Sequence, residues 1–291
     1  MHINYLLILS FLLLSFKKED ADELIILPKE NPAPNYKYAF FAAGHVYGNA
    51  LNFQYGLHPP FKDIINKLNE YPLLELGVFT GDVVPKPTQA YWDSAIVDIN
   101  KINVPTYIAP GNHDGGTVFK QLFTTYYRSF TQNNDLFIIL SPSNWSIKGK
   151  QLDFLKNTLN HHKDSVNNVF IFCHELIWWS PNNQFKNVEI NYRPHYPGST
   201  NYWSVIHPIL DSLNNNVMLF AGDLGATSAV DAYMYYKTDN VTLIGSGMGG
   251  RKEDNLVMVE VDHEGNVNLR LLGIQSKRLV EMEKLENYTL P

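Results

Sequence analysis

Five short apolar stretches of this chain run, one after another, straight into loops built from His, Asp and Asn. Tyr38–Ala42 leads into Ala43-Gly44-His45, and Leu74–Phe79 into Thr80-Gly81-Asp82. Thr106–Ala109 leads into Pro110-Gly111-Asn112-His113-Asp114. Asn168–Phe172 leads into Cys173-His174-Glu175, and Val217–Ala221 into Gly222-Asp223-Leu224-Gly225. The apolar stretches are rich in β-branched and aromatic residues, which favour strands. Helical patterns fall near Phe61–Asn69, Gln89–Ile102, Val118–Phe130, Lys150–His162 and Tyr202–Leu213. Strands alternating with helices imply βαβ units and a sheet covered on both faces. In such sheets the carboxyl ends of the strands line a crevice where ligands bind.

Further strands are expected at Leu136–Leu140, Val241–Ile244, Leu256–Val261 and Val267–Leu272. The last three have no helices between them, which points to an antiparallel finish, and so many strands suggest two packed sheets rather than one. Hydrophobic residues make up 45% of the 291 and charged residues 18%, which suits a packed globular chain. A net charge of -6 argues against long nucleic acids as partners, because phosphate backbones are held by clustered Lys and Arg.

The chain has ten His and one Cys. A lone Cys173 rules out an intrachain disulfide and a thiolate zinc site, so any bound metal must be held by imidazole and carboxylate. Oxygen and nitrogen donors suit Mn, Fe, Mg or Zn. Taken singly, an Asp or His after a strand is an ordinary turn or cap residue. Five such loops in series, including the rarer Asn112-His113-Asp114, point to a metal centre in the crevice.

In this order the blocks resemble the calcineurin-like metallophosphoesterase superfamily, whose pattern runs Asp-x-His, Gly-Asp, Gly-Asn-His-Asp/Glu, His and Gly-His-x-His. The resemblance covers roughly residues 38–272. It implies an α/β fold, a four-layer αββα sandwich of two mixed β-sheets flanked by helices. It also implies a metal-dependent hydrolase of a phosphate mono- or diester. Gly81-Asp82 and Gly111-Asn112-His113-Asp114 match in full, and His174 matches in position. Two blocks depart: Ala43 stands where the first Asp is expected, and Asp223 and Gly225 stand where two His are expected. Carried over residue by residue, one cation position would draw on Asp82, Asn112, His174 and Asp223. The other keeps only His45 and the bridging Asp82, too few to hold an ion well. His113 would be the general acid or the charge stabiliser at the leaving oxygen, with Asp114 as its orienting partner. The lost ligands also fit a different class, a degenerate binding protein that recognises a phosphorylated ligand.

Between His174 and Asp223, the polar and aromatic segment that includes Tyr192, Arg193 and His195 reads as a loop over the crevice. Arg193 could pair with a phosphate and His195 could complete the poorer metal position. Trp178, Trp179 and Trp203 read mainly as packing residues. Gly245–Gly250 reads as a turn near the crevice rather than a phosphate-cradling loop.

The ends of the chain read separately. Residues 1–16 contain the apolar run Ile3–Phe16, too short to cross a membrane comfortably and suited to an export signal or a short membrane anchor. An exported location, periplasmic, secreted or envelope-associated, follows from that reading. Its substrate there would be a small, glycan-linked or lipid-linked phosphate ester. Residues 17–35, with three prolines, read as an extended linker, 36–275 as the folded domain, and 276–291 as a charged, mildly helical tail.

Overall fold

Strand β1 (Tyr36–Ala43) shows how the layers of this molecule arise. Side chains on a strand alternate between faces, and in β1 both faces are apolar. Tyr38, Phe40 and Ala42 enter one cluster, Ala39, Phe41 and Ala43 another, and all six are fully buried. A strand of this kind must lie inside a sheet covered on both sides. The structure is a computed structural model that describes residues 35–51, 53–71, 73–191, 193–250 and 253–291. The export-signal segment 1–16, all but the last residue of the 17–35 linker, and Tyr192 lie outside the described residues.

Strand β1 sits within the first sheet, beside β2 (Leu74–Phe79) and β3 (Thr106–Ile108), all parallel. On its other side come β10 (Asn255–Asp262), β11 (Val267–Gln275) and β12 (Arg278–Glu281), all antiparallel. The second sheet has the order β4 (Arg128–Gln132), β5 (Asp135–Ile139), β6 (Asn168–Phe172), β7 (Asn216–Ala221), β9 (Val241–Ser246) and β8 (Tyr233–Lys237). Its four central strands are parallel and its two edges antiparallel.

Three apolar layers separate four layers of structure. Between the sheets, Phe40 meets Phe137, Phe170, Phe172 and Phe220 with ring centroids 4.8–6.2 Å apart. Outside the first sheet lie α1 (Pro59–Asn69), α2 (Gln89–Ile99) and α3 (Thr117–Phe123), which bury Phe61, Ile64, Leu68, Trp92 and Phe119. Outside the second lie α4 (Gly149–His162) and α5 (His207–Asp211), which bury Leu155, Leu159 and Leu210. The result is the αββα sandwich of two mixed sheets. Among the described residues, no helix is long and apolar enough to cross a membrane.

Four local expectations are corrected. The helix read over Val118–Phe130 stops at Phe123, because Thr124 takes a φ of 61° and turns the chain into β4. Tyr202–Leu213 opens with a wide turn in which Ile206 N–H bonds to Asn201 O, five residues back, before α5 begins. Tyr233–Lys237, absent from the expected strands, is an edge strand. The stretch read as a mildly helical tail instead supplies β12 and the fully buried Leu285, so the domain continues past residue 275.

Phe40 is the centre of the inter-sheet layer, and truncation there leaves a cavity lined by rigid rings. Phe40→Ala is expected to cost about 3–5 kcal/mol. Chemical denaturation checks this through a lower midpoint with an unchanged slope.

Candidate active site

The parallel strands of both sheets end at one edge, and their loops are stitched together there by backbone bonds. His45 N–H donates to Gly81 O (3.1 Å) and Tyr47 N–H to Asp82 O (3.0 Å). Gly222 N–H and Asp223 N–H both donate to His174 O, at 2.9 and 3.0 Å. The two sheets meet so closely that a Cβ on Gly222 would fall 2.0 Å from Thr80 O. His45 and Asp82 take φ of 52° and 53°, conformations uncommon for residues with a side chain and often found where function dictates geometry.

Three imidazoles are fixed in the same way. His174 Nδ1 lies 3.0 Å from Thr80 O, His45 Nδ1 3.1 Å from Met248 O, and His113 Nδ1 2.8 Å from Pro85 O. A carbonyl only accepts, so each Nδ1 carries a proton and donates it. That sets Nε2 as the working nitrogen of each ring, the arrangement by which proteins orient metal-ligating histidines. His174 Nε2 is buried without a hydrogen-bond partner, 3.4 Å from Asp82 Oδ2 and 3.7 Å from Asp223 Oδ1. His45 Nε2 lies 3.6 Å from Asp82 Oδ2.

The charges respond to this crowding. Burial pushes the His174 pKa down, but Asp82 above all, then Asp223 and Glu175, raise it well above its ordinary value. Burial pushes Asp82 up, but His174, His45 and His113 bring it below the usual carboxylate range. Asp223 is raised, chiefly by burial, and His45 is lowered to about 4 by burial despite Asp82. Two buried carboxylates therefore face His174 Nε2 and call for positive charge between them.

A cavity of about 280 Å³ opens over these groups, lined by His45, Tyr47, Asp82, Asn112, His113, Asn191, His195 and Asp223, with Ala50 and Ala226. A neighbouring hollow of about 250 Å³ shares Asn112, His195 and Asp223 and adds Asn144, Trp145 and Glu175. A larger hollow of about 370 Å³ between α4 and α5 has only Lys156 and Lys163 as charged lining groups, with no acid or imidazole.

The structure brings together His45, Asp82, Asn112, His113, His195 and Asp223 around the first cavity, with His174 at its floor. Asn112 and His195 are exposed at the rim. Two expectations need correction. Asp114 does not orient His113: its carboxylate accepts N–H bonds from Val83, Val84 and Gly111, at 2.8–3.1 Å, tying the two Gly-containing loops to each other. Burial and the Asp82 charge push its pKa up to about 7, against those donors. Arg193 does not face the cavity. Its guanidinium bonds to Lys186 O, Val188 O and Glu189 and lies over the Trp179 ring. Trp178 and Trp179 are core residues, and Trp203 packs against that core with its indole N–H on Trp178 O.

Sequence reasoning missed Tyr47, Trp145 and Glu175. Tyr47 is buried with its ring 4.4 Å from His45 and 5.4 Å from His113. Glu175 follows His174 directly; burial pushes its pKa to about 7, and one of its carboxyl oxygens is buried without a partner. The Gly245–Gly250 turn does reach the site. Its Met248 carbonyl orients His45, and Asp254 holds the turn by accepting from Gly249 and Gly250 N–H.

Over 125 residues the chain is 30% identical to a probable glycerophosphodiester phosphodiesterase, GpdQ, of Arcobacter nitrofigilis. The match spans 38% of this chain and 44% of that relative, less than half its length. This partial likeness to a phosphodiesterase agrees with the metallophosphoesterase resemblance of the motif blocks. No family model matches it. Among solved structures it is similar to a Vps29 single mutant from Entamoeba histolytica, at 6% identity and a TM-score of 0.38, covering 84% of this chain and 99% of that one. It is also similar to the Thermotoga maritima protein TM1076, at 12% identity and a TM-score of 0.37, covering 81% and 99%.

The resemblance of the motif blocks implies a divalent metal. Among the described residues, no three His, Cys, Asp or Glu side chains close tightly enough to form a ready metal cage. Donors around one ion at ordinary bond lengths lie about 3.0–3.6 Å apart. The His174–Asp82 separation falls in that range, and Asp223 needs only to draw in slightly. The orphaned His174 Nε2 between two carboxylates fits one cation. The second position does not fit. Ala43 packs in the apolar cluster under α1, and Gly225 has a φ of 79° with a Cβ position 2.5 Å from the Gly247 carbonyl carbon. A side chain at 225 would therefore collide with backbone. Gly225→Ala is expected to cost at least about 2 kcal/mol; thermal unfolding beside wild type checks it.

Proposed function

We propose that this chain hydrolyses a phosphate mono- or diester using one divalent cation (Mn, Fe, Mg or Zn) held by Asp82, His174 and Asp223, with Asn112 at the rim. The observation that carries the reading is the common locking of three imidazoles by backbone carbonyls, with Asp82 and Asp223 beside the Nε2 of His174 and Asp82 beside that of His45. When bound there, the cation would polarise the phosphoryl group and lower the pKa of an attacking water. His113 lies at the cavity wall with Nδ1–H spent on Pro85 O, so in the doubly protonated ring Nε2–H is the atom that would give a proton to the leaving oxygen, leaving the neutral Nδ1–H tautomer. Asp82 orders that loop further by accepting His113 N–H at 3.2 Å.

No Lys or Arg is among the described residues lining the cavity. An anionic ester would meet Asp82 and Asp223 unscreened, which makes its binding conditional on the cation. Asp223 in place of an imidazole makes the position more negative and favours harder ions such as Mn or Mg.

The relative's name makes small glycerophosphodiesters the first substrates to test. An exported location, with glycan-linked or lipid-linked esters as wider substrates, belongs to the same proposal and rests on the apolar run Ile3–Phe16. A second reading, a binding protein for phosphorylated ligands, draws its support from Ala43 and Gly225, which supply no donor to the other cation position.

Turnover separates the two. With Mn, the purified chain is expected to hydrolyse bis(p-nitrophenyl) phosphate and to lose that activity on chelation. His113→Ala is expected to lower kcat by about 10²–10⁴-fold. Absence of turnover with all four metals, or unchanged turnover in His113→Ala, contradicts the hydrolase reading.

A further inference from the structure

The cavity wall includes a buried polar group, Tyr47, that neither the metal position nor proton transfer uses. Tyr47 is 1% exposed, and its ring lies against both His45 and His113. Its backbone is fully engaged: N–H donates to Asp82 O at 3.0 Å, and the carbonyl accepts from Gln54 Nε2 at 3.4 Å. Its hydroxyl makes no hydrogen bond to any described residue, yet it is not among the sealed, unpartnered polar atoms. A phenol that is buried around its ring, unbonded at its oxygen and part of the cavity wall presents that oxygen to the cavity.

Placement of this residue is deliberate in the backbone. His45 at φ 52° and Gly48 at φ 91° fold the loop back on itself, with Gly48 N–H on His45 O at 2.9 Å. Between them, Val46 turns into the apolar cluster and Tyr47 turns to the cavity. The walls are rich in acceptors and poor in donors. Asp82 and Asp223 are acceptors, and the two amides belong to Asn112 and Asn191. Asn191 is already committed, its Nδ2 to Leu224 O and its Oδ1 to Ala226 N–H. A phosphate ester anion brings acceptor oxygens only, and the Tyr47 hydroxyl is a donor in the buried part of the wall, with Asn112 and His195 at the exposed rim.

We propose that Tyr47 is a catalytic residue whose hydroxyl donates a hydrogen bond to a non-bridging phosphoryl oxygen on the His45 side of the cavity. There it supplies part of the charge stabilisation that a second cation would give. This rests on the hydrolase reading. Ala43 and Gly225 supply no donor to the second position, and a neutral donor fixed in the cavity wall is a means of stabilising charge that grows on that oxygen. The phenol donates and keeps its proton throughout, so no charge or electron is transferred.

Tyr47→Phe keeps the ring packed on His45 and His113 and removes only the hydroxyl. In the full chain with Mn, kcat on bis(p-nitrophenyl) phosphate is expected to fall roughly 10²-fold. Inorganic phosphate should raise the unfolding temperature of wild type by mass action and raise that of Y47F distinctly less, while the phosphate-free temperatures agree. Y47F with wild-type kcat, or with an equal phosphate-dependent rise, overturns the assignment and leaves the hydrolase reading standing. A wild type that neither turns over the ester nor is stabilised by phosphate overturns both.

Discussion

Asp82 and Asp223 are buried carboxylates aimed at one imidazole nitrogen, and that arrangement is the demand on which the rest of the site depends. Burying a charge is costly unless it is paired. Here the partner is His174 Nε2, at 3.4 and 3.7 Å, with no hydrogen bond formed. A proton or a cation at that point relieves both acids. The fold is arranged to hold them there. Thr80 O fixes the His174 ring, His174 O in turn accepts Asp223 N–H, and the side-chain-free Gly222 lets the second sheet approach the first.

The site is lopsided for physical reasons beyond the identities of a few residues. On the proposed reading, Asp223 supplies a carboxylate where the resembled pattern has an imidazole, which would leave the first position with its donors. Gly225 is different: its left-handed backbone packs against Gly247 and Met248, and the latter carbonyl orients His45. Refilling position 225 would disturb the turn that positions His45. Asp254 anchors that turn and also meets His58 Nε2 at 2.8 Å, so the arrangement is braced from behind.

Much of this was legible in the sequence because parallel strands buried on both faces announce themselves as short apolar runs, and their loops follow at fixed places. Leu74–Phe79 and Asn168–Phe172 have the bounds read from sequence. Edge strands were less legible. Arg128–Gln132 and Arg278–Glu281 carry too little apolar alternation to signal themselves, and pairing with a neighbour decides them. At the site, motif spacing located His45, Asp82, His113, His174 and Asp223. It could not show that Asp114 spends its carboxylate on three backbone N–H groups, or that Arg193 is tied to Lys186, Val188 and Glu189. Tyr47 carries no local signal, since only the turn at His45 and Gly48 brings it to the cavity. Glu175 stood beside His174 in the quoted loop, and its burial was the missing information.

The central claim is that one cation, and not two, belongs between His174, Asp82 and Asp223. Equilibrium dialysis of the full chain against Mn measures it directly. The account predicts about one tightly held ion per chain, in the way three or four protein donors hold one, and loss of that ion in Asp223→Ala with the fold intact. Two tightly held ions, or one ion retained undiminished in Asp223→Ala, would contradict it.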